Sequence, residues 1–199
     1  MRAYIDDTEL TLDRPSQRAA FEGAIRAAEA EGRIVIEALR DGETVSPDDL
    51  AELPDDPGSA GELRFRSANP RTLVRVTLDE VGDALEQLGP VQRALGEQIQ
   101  AGETDGLADG LRDVVEVWQA TRQSVDHARM LLGDGLGEAA ATQLETALPP
   151  LAESLTELHR SLTAQDWSGV GDVLLEDLTP QAEVWLGLLR ELSSGLAGE

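Results

Sequence analysis

The chain has 199 residues and a formal net charge of −23, with 39 acidic residues against 16 basic ones, all of them arginine. This charge excludes binding to nucleic acid or to an anionic membrane through surplus Lys and Arg, and it favours a protein partner with basic segments. The absence of cysteine and lysine excludes disulfides, thiolate metal sites and lysine Schiff bases.

The N-terminus shows no targeting pattern. A signal peptide needs an uninterrupted apolar run near the N-terminus, and the acidic residues Asp6 and Asp7 interrupt the chain too early for such a run. No later stretch approaches the roughly 18 uninterrupted apolar residues of a membrane helix. We therefore expect a cytoplasmic protein that does not associate with membranes.

The segment from residue 1 to residue 69 carries the patterns of a small α+β domain. Alternating or β-branched apolar residues predict five short strands, at 3–5, 10–12, 33–39, 43–45 and 62–66.

The same segment contains signals for helix and loop. Helical spacing of apolar residues predicts a helix that begins at Pro15 and ends before Gly32, a residue suited to a left-handed C-terminal cap. Residues 46–50 predict a single capped helical turn, and residues 54–61 predict a loop.

This succession of strand, strand, helix, strand, short strand, helical turn and strand resembles the β-grasp, or ubiquitin-like, arrangement. The resemblance implies a protein-docking module. A conjugated modifier of that family needs a free C-terminal Gly-Gly, whereas this chain continues through Asn69-Pro70 into more protein. We therefore do not expect the conjugation and thiolation roles of that fold here.

Residues 70–199 keep a helical apolar period to the end of the chain, which makes the whole fold α+β but mostly helical. Turn residues divide this part into four predicted helices, at 70–100, 103–132, 136–162 and 166–196. Because the connections are short, neighbouring helices should be antiparallel, which predicts an up-down-up-down four-helix bundle.

The third predicted helix has the clearest apolar stripe. Six leucines recur at alternating spacings of four and three, which indicates a core seam: Leu144, Leu148, Leu151, Leu155, Leu158 and Leu162. Pro149-Pro150 interrupt this stripe, and Pro90 and Pro180 occupy similar places in the first and fourth helices. Because proline lacks the backbone donor and clashes with the preceding turn, we expect a kink or a break at each position.

The two halves of this helical part resemble each other at a shift of 63 residues, which carries Leu95 onto Leu158 and Leu111 onto Leu174. Four further residues align Trp118 with Trp185. Two duplicated helical hairpins would give these matches, and so would any two amphipathic hairpins of equal length. Both tryptophans are expected to anchor the core.

Few residues are candidates for a site, and none is predicted to be catalytic or to bind a cofactor or metal. His127 and His159 belong to neither an HExxH zinc motif nor the Glu-x-x-His pair of di-iron bundles. They could still converge with a carboxylate across a helix interface, or lie at the surface. Trp167 stands at the start of the fourth helix as either a half-exposed contact residue or a staple for the loop.

Three functional hypotheses follow. The first is a non-enzymatic protein-interaction protein, an adaptor, scaffold or chaperone-like bundle with acidic helical surfaces. Its two parts are both acidic, since residues 1–70 hold 8 Arg and 16 acids (−8) and residues 71–199 hold 8 and 23 (−15). The alternative is a small-molecule or metal-binding bundle, including an enzyme, with a site between the helices. The third is a homo-oligomer formed through an exposed bundle face.

The two-part layout resembles bacterial proteins of uncharacterised function that join an N-terminal β-grasp domain to a C-terminal helical bundle. That resemblance rests on the element order of residues 1–69 and on the helical pattern of residues 70–199. It implies a bacterial source and carries no activity over to this chain.

Overall fold

A computed structural model describes residues 1–51, 54, 61–103 and 105–197. The chain divides into two compact units, Met1–Leu73 and Val74–Glu199. The first holds a small five-stranded mixed sheet and the second is helical, so the predicted combination of an α+β beginning with a mostly helical remainder is confirmed.

The strands of the N-terminal unit form one sheet in the order β2-β1-β5-β3-β4. Their bounds are Arg2–Ile5 for β1, Thr8–Glu9 for β2, Ile34–Arg40 for β3, Glu43–Thr44 for β4 and Glu62–Ala68 for β5. β1 and β5 are parallel, and every other pair is antiparallel. The helix α1, Gln17–Ala30, packs against β1, β5 and β3, and the short helix α2 spans Pro47–Ala51.

Two tight hairpin turns follow from local sequence. Asp6 and Asp7 join β1 to β2 with φ of 45° and 67°, and Asp41 and Gly42 join β3 to β4 with φ of 52° and 91°. Positive φ at both central residues is the conformation that matches strand twist, and Asp and Gly tolerate it best. These residues therefore set the register of both hairpins.

Some predicted boundaries in this unit were wrong. Residues 10–12 are not a strand, because β2 ends at Glu9 and the last backbone hydrogen bond to β1 is the one from Leu10 N to Ala3 O, at 2.8 Å. Pro15 is not helical, because Ser16 is the N-cap and its hydroxyl accepts a hydrogen bond from Ala19 N. Most of the loop predicted at 54–61 falls on residues outside the described ranges.

The second unit contains four long helical stretches. Three of them are single helices: α3 spans Pro70–Gln100 and begins in the first unit, α4 spans Ala108–Leu132, and α5 spans Glu138–Ala164. The fourth contains α6, Trp167–Asp172, and α7, Thr179–Leu196. A 3₁₀ turn, Gly133–Leu136, precedes α5, and a π-helix, Val173–Leu178, joins α6 to α7 without interruption.

Side-chain contacts identify antiparallel neighbours among these helices. The residue numbers rise on one helix as they fall on the other in each pair: Asp79–Ser193 and Glu86–Arg190 join α3 to α7, and Gln143–Glu191 and Ser154–Gln181 join α5 to α7. In the same way Leu95 lies against Gly110 and Gln92 against Trp118 between α3 and α4.

The leucine stripe of α5 lies in the core, as predicted. Leu144, Leu151 and Leu158 are at most 1% exposed, and the three leucines between and after them pack against the same core. Trp118 and Trp185 are also buried, at 0% and 1% exposed. Burial of this stripe and of the two indoles holds the helices together.

The prolines were predicted to kink or break the helices, and none of them breaks one, while the kinks stay a prediction. α3 is continuous through Pro90 and α5 through Pro149-Pro150. Before Pro180 the backbone instead widens into the π-helix, which relieves the clash between the proline ring and the carbonyl four residues earlier. Proline therefore ends none of these helices, and before Pro180 the helix changes from α to π geometry.

Candidate functional site

The two histidines do not share a site. His127 on α4 and His159 on α5 are both exposed. His159 lines a groove together with Val115, Gln119 and Arg122 of α4, and His127 is not among the residues that line it.

Trp167 is the first residue of α6, where the sequence placed it, and it is 36% exposed. The preceding Asp166 caps the helix, since its Oδ1 accepts a hydrogen bond of 3.1 Å from Gly169 N. The indole is half-exposed at a well-anchored helix start. Its role as an interaction contact stays a prediction.

A larger groove lies between α5 and α7. Two hydrogen bonds bridge the helices near its ends: Gln143 Nε2 donates to Glu191 Oε2 at 3.1 Å, and Gln181 Nε2 donates to Ser154 Oγ at 2.8 Å. Between these bridges the helices enclose a volume of about 660 Å³ that is open to solvent. We call this the α5/α7 groove, lined by Thr142, Gln143, Thr146, Ala147, Pro150, Gln181, Glu183, Val184, Trp185, Gly187, Leu188 and Glu191.

The α5/α7 groove has an apolar floor. Trp185 and Leu188 are buried at its base, and the half-buried Ala147 of α5 lines it with them. Val184 is 62% exposed at the edge, although it belongs to a helix whose other large apolar side chains are mostly buried. Gly187 adds no side chain, and a Cβ built there meets no atom within 4 Å. Val184 and Gly187 are thus the apolar part of α7 that solvent reaches in this groove, above the buried Trp185 and Leu188.

The edge of the groove is acidic. Glu183 and Glu191 stand exposed on α7, and none of the described lining residues is cationic. The nearest basic residues along the two helices are engaged elsewhere, Arg190 with Glu86 of α3 at 3.2 Å and Arg160 with Glu157 on α5. An apolar floor with a carboxylate edge favours a ligand that is apolar on one side and basic beside it.

Two other grooves differ in size and charge. The groove of His159, between α4 and α5, has a volume of about 370 Å³ and contains the cationic Arg122. In the N-terminal unit, a groove of about 490 Å³ lies between α1 and β3, and Arg33 lines it beside two glutamates. The α5/α7 groove is larger than both and is free of cationic lining residues.

Sequence reasoning identified Trp185 only as a core residue and passed over its neighbours on α7. The signal was present, because Val184 and Gly187 place an exposed apolar residue and a gap beside a buried indole. The sequence of α7 alone does not reveal the groove, because the groove also depends on small residues of α5, such as Ala147, that line it with Val184 and Gly187.

No family model, curated protein or solved structure matches the chain. Within the described part of the chain, no group of three or more His, Asp or Glu is arranged to hold a metal ion. No helix of that part is long and apolar enough to cross a membrane.

Proposed function

We propose that the protein is a non-enzymatic interaction protein, an adaptor, scaffold or chaperone-like module whose acidic helical surfaces bind basic segments of a partner protein. One observation carries the proposal: the arginines are largely occupied by the protein's own carboxylates. At least nine of the 16 arginines form ion pairs within the chain, namely Arg2, Arg33, Arg64, Arg66, Arg75, Arg112, Arg122, Arg160 and Arg190.

The consequence is a surface on which the excess charge is carboxylate. With 39 acidic side chains against 16 arginines, most carboxylates have no cation of the chain to pair with. Such a surface attracts cationic partners and repels polyanions, with a range set by ionic strength. Adaptors and chaperone-like proteins that hold basic segments need this property.

The non-enzymatic part of the proposal is supported by how the perturbed carboxyls are held. Hydrogen bonds from the Ser67 hydroxyl and Ser67 N, with the charge of Arg33, lower the pKa of Asp6 below its ordinary value. Bonds from Arg160 lower the pKa of Glu157 in the same direction. Neither of these two carboxyls has the raised pKa that suits a carboxylic general acid at neutral pH.

We also propose that residues 1–69 adopt the β-grasp fold and that residues 70–199 form an up-down-up-down four-helix bundle. The central parallel pair of β1 and β5, with a single long helix across the sheet, supports the first. The antiparallel contacts of α3 with α4 and α7, and of α5 with α7, support the second. In such a bundle the π-helix and α6 would extend α7.

The test uses a fluorescently labelled arginine-rich peptide and a control peptide with glutamate at every arginine position, titrated with the full chain at low and physiological ionic strength. We expect anisotropy to show binding of the basic peptide only, weakening as salt is added. Absence of binding at low ionic strength, or equal binding of the two peptides, would refute the proposal.

A further inference from the structure

We propose that the α5/α7 groove binds an amphipathic helix of a partner protein, with the apolar side of that helix on the groove floor and its Lys or Arg residues beside Glu183 and Glu191. This inference rests on the proposed function and assigns it a site. Helix-in-groove recognition of this kind uses apolar anchors at helical spacing.

The dimensions of the groove fit two to three turns of helix. Its lining runs over residues 142–150 of α5 and residues 181–191 of α7. At 1.5 Å rise per residue these segments are about 12 Å and about 15 Å long. A partner helix would therefore place apolar side chains at i, i+4 and i+7 along the floor.

The charges fix the chemistry of that helix. Glu183 and Glu191 are eight residues apart on α7, about 12 Å or roughly two turns, and both are exposed. Basic residues seven or eight positions apart on the partner would meet both carboxylates. A polyanion would be repelled by the same pair, and a second copy of this chain would bring its own excess of carboxylates.

The floor supplies the apolar contact. Val184, 62% exposed, would be withdrawn from water by a bound helix, whereas Leu188 and Trp185, at 7% and 1% exposed, already lie buried beneath the groove. Gly187 lies between them without a side chain, so the partner backbone or a large side chain can approach α7 there. Few interface residues need to contribute if they are aromatic or apolar anchors in such a pocket.

The experiment compares two synthetic helical peptides of identical composition, each about four turns long. One carries leucines at i, i+4, i+7 and i+11 with arginines beside them, and the other has the same residues in scrambled order. We expect the full chain to bind the amphipathic peptide at least tenfold more tightly than the scrambled one. Equal affinities for the two peptides would refute the α5/α7 groove as the binding site and would leave the proposed function intact. If neither peptide bound, the proposed function would be refuted as well.

Two matched variants locate the site. Gly187→Leu fills the groove, and Gly82→Leu makes the same change on α3, where an added Cβ also meets nothing within 4 Å. Both replace a helical glycine by a better helix former, so neither should unfold the chain. We expect Gly187→Leu to weaken binding of the amphipathic peptide at least tenfold and Gly82→Leu to leave it within twofold. Equal affinities of the two variants would overturn the proposal.

A second pair separates the edge carboxylates from net charge. Glu183→Gln with Glu191→Gln should weaken binding about three- to tenfold. Glu97→Gln with Glu116→Gln, two exposed residues outside the groove, removes the same charge and should have a smaller effect. Equal effects would overturn the assignment of the edge. Self-association of the wild-type chain that Gly187→Leu abolishes would overturn the partner helix in favour of a second copy.

Discussion

The cores of the two units differ in the size of the side chains that fill them. Among the described residues, the N-terminal core has nine buried apolar residues, five of which are alanines: Ala3, Ala20, Ala24, Ala28 and Ala38. The C-terminal core has 25, of which only Ala128 and Ala182 are alanines, and leucines and two tryptophans fill most of the rest. The first unit is thus built on close approach of α1 to the sheet, and the second on side-chain volume.

Their polar cross-links differ in the same way. In the N-terminal unit Asp6, whose side chain is 40% exposed, accepts hydrogen bonds from Ser67 and Arg33. In the C-terminal unit Gln92, 1% exposed, accepts from Trp118 Nε1 at 2.8 Å and donates to Thr179 Oγ1 at 3.2 Å. The Asp6 link is charged and partly exposed, whereas the Gln92 link is neutral and buried. Only the Asp6 link should therefore change its contribution to stability with pH.

The largest effects should come from changing side-chain volume in opposite directions. Leu151→Ala, at a site 0% exposed, should destabilise the C-terminal unit by about 3 kcal/mol because it leaves a cavity. Ala24→Leu, also at 0%, should destabilise the N-terminal unit by about 2 kcal/mol because the helix must move off the sheet. Hydrogen exchange by segment measures each unit separately. Loss of protection spread equally over both units would show that their cores are not independent.

Next in size is the buried link of the C-terminal unit. Gln92→Leu should cost about 2 kcal/mol, because it leaves Trp118 Nε1 without its acceptor in a buried site. Trp118→Phe should also destabilise, whereas the double variant should cost clearly less than the sum, since both partners are then removed together. Denaturant unfolding followed by tryptophan fluorescence reports this unit, because Trp118, Trp167 and Trp185 all belong to it. Strict additivity would contradict the link.

Smaller changes in stability are expected at two glycines of the C-terminal unit, one closely packed and one with open space around it. A Cβ at Gly96 would lie 2.5 Å from Leu175 Cγ, so α3 approaches the π-helix closely there. Gly96→Ala should destabilise by about 1 kcal/mol or more despite the better helix propensity of alanine. Gly187→Ala, with open space around its Cβ, should stabilise by about 0.5–1 kcal/mol. Thermal unfolding of both variants gives the two signs, and a shared sign would contradict the packing described.

The smallest effect concerns pH and the N-terminal unit. Because the pKa of Asp6 is lower in the folded state, its contribution is fully present above the ordinary value of about 3.9 and fades as the pH falls through the folded value. Asp6→Asn keeps a residue suited to positive φ and should cost about 1 kcal/mol at pH 7, with a smaller difference from wild type toward pH 3. Hydrogen exchange of β1 and β5 across this range provides the measurement. A difference that grows on acidification would have the wrong sign.

Sequence patterning predicted most elements because each has a local cause. The Asp41-Gly42 turn, the cap residues and the leucine stripe of α5 act over a few neighbouring positions. Prediction failed at two local details and at one arrangement that depends on distant residues. The end of β2 depends on pairing with β1, and Pro180 is accommodated by the π-helix Val173–Leu178. The α5/α7 groove requires two helices to face each other with small residues between them, which no single stretch of sequence encodes.

The groove can be examined through the three indole N–H signals of the ¹⁵N-labelled protein during titration with the amphipathic basic peptide. Trp185 lines the α5/α7 groove, Trp118 is bonded to Gln92 in the interior, and Trp167 stands at the surface on α6. Helix binding in the groove should shift the Trp185 signal in proportion to saturation and leave the other two in place. A shift confined to Trp167, or no shift of Trp185 at saturation, would contradict it.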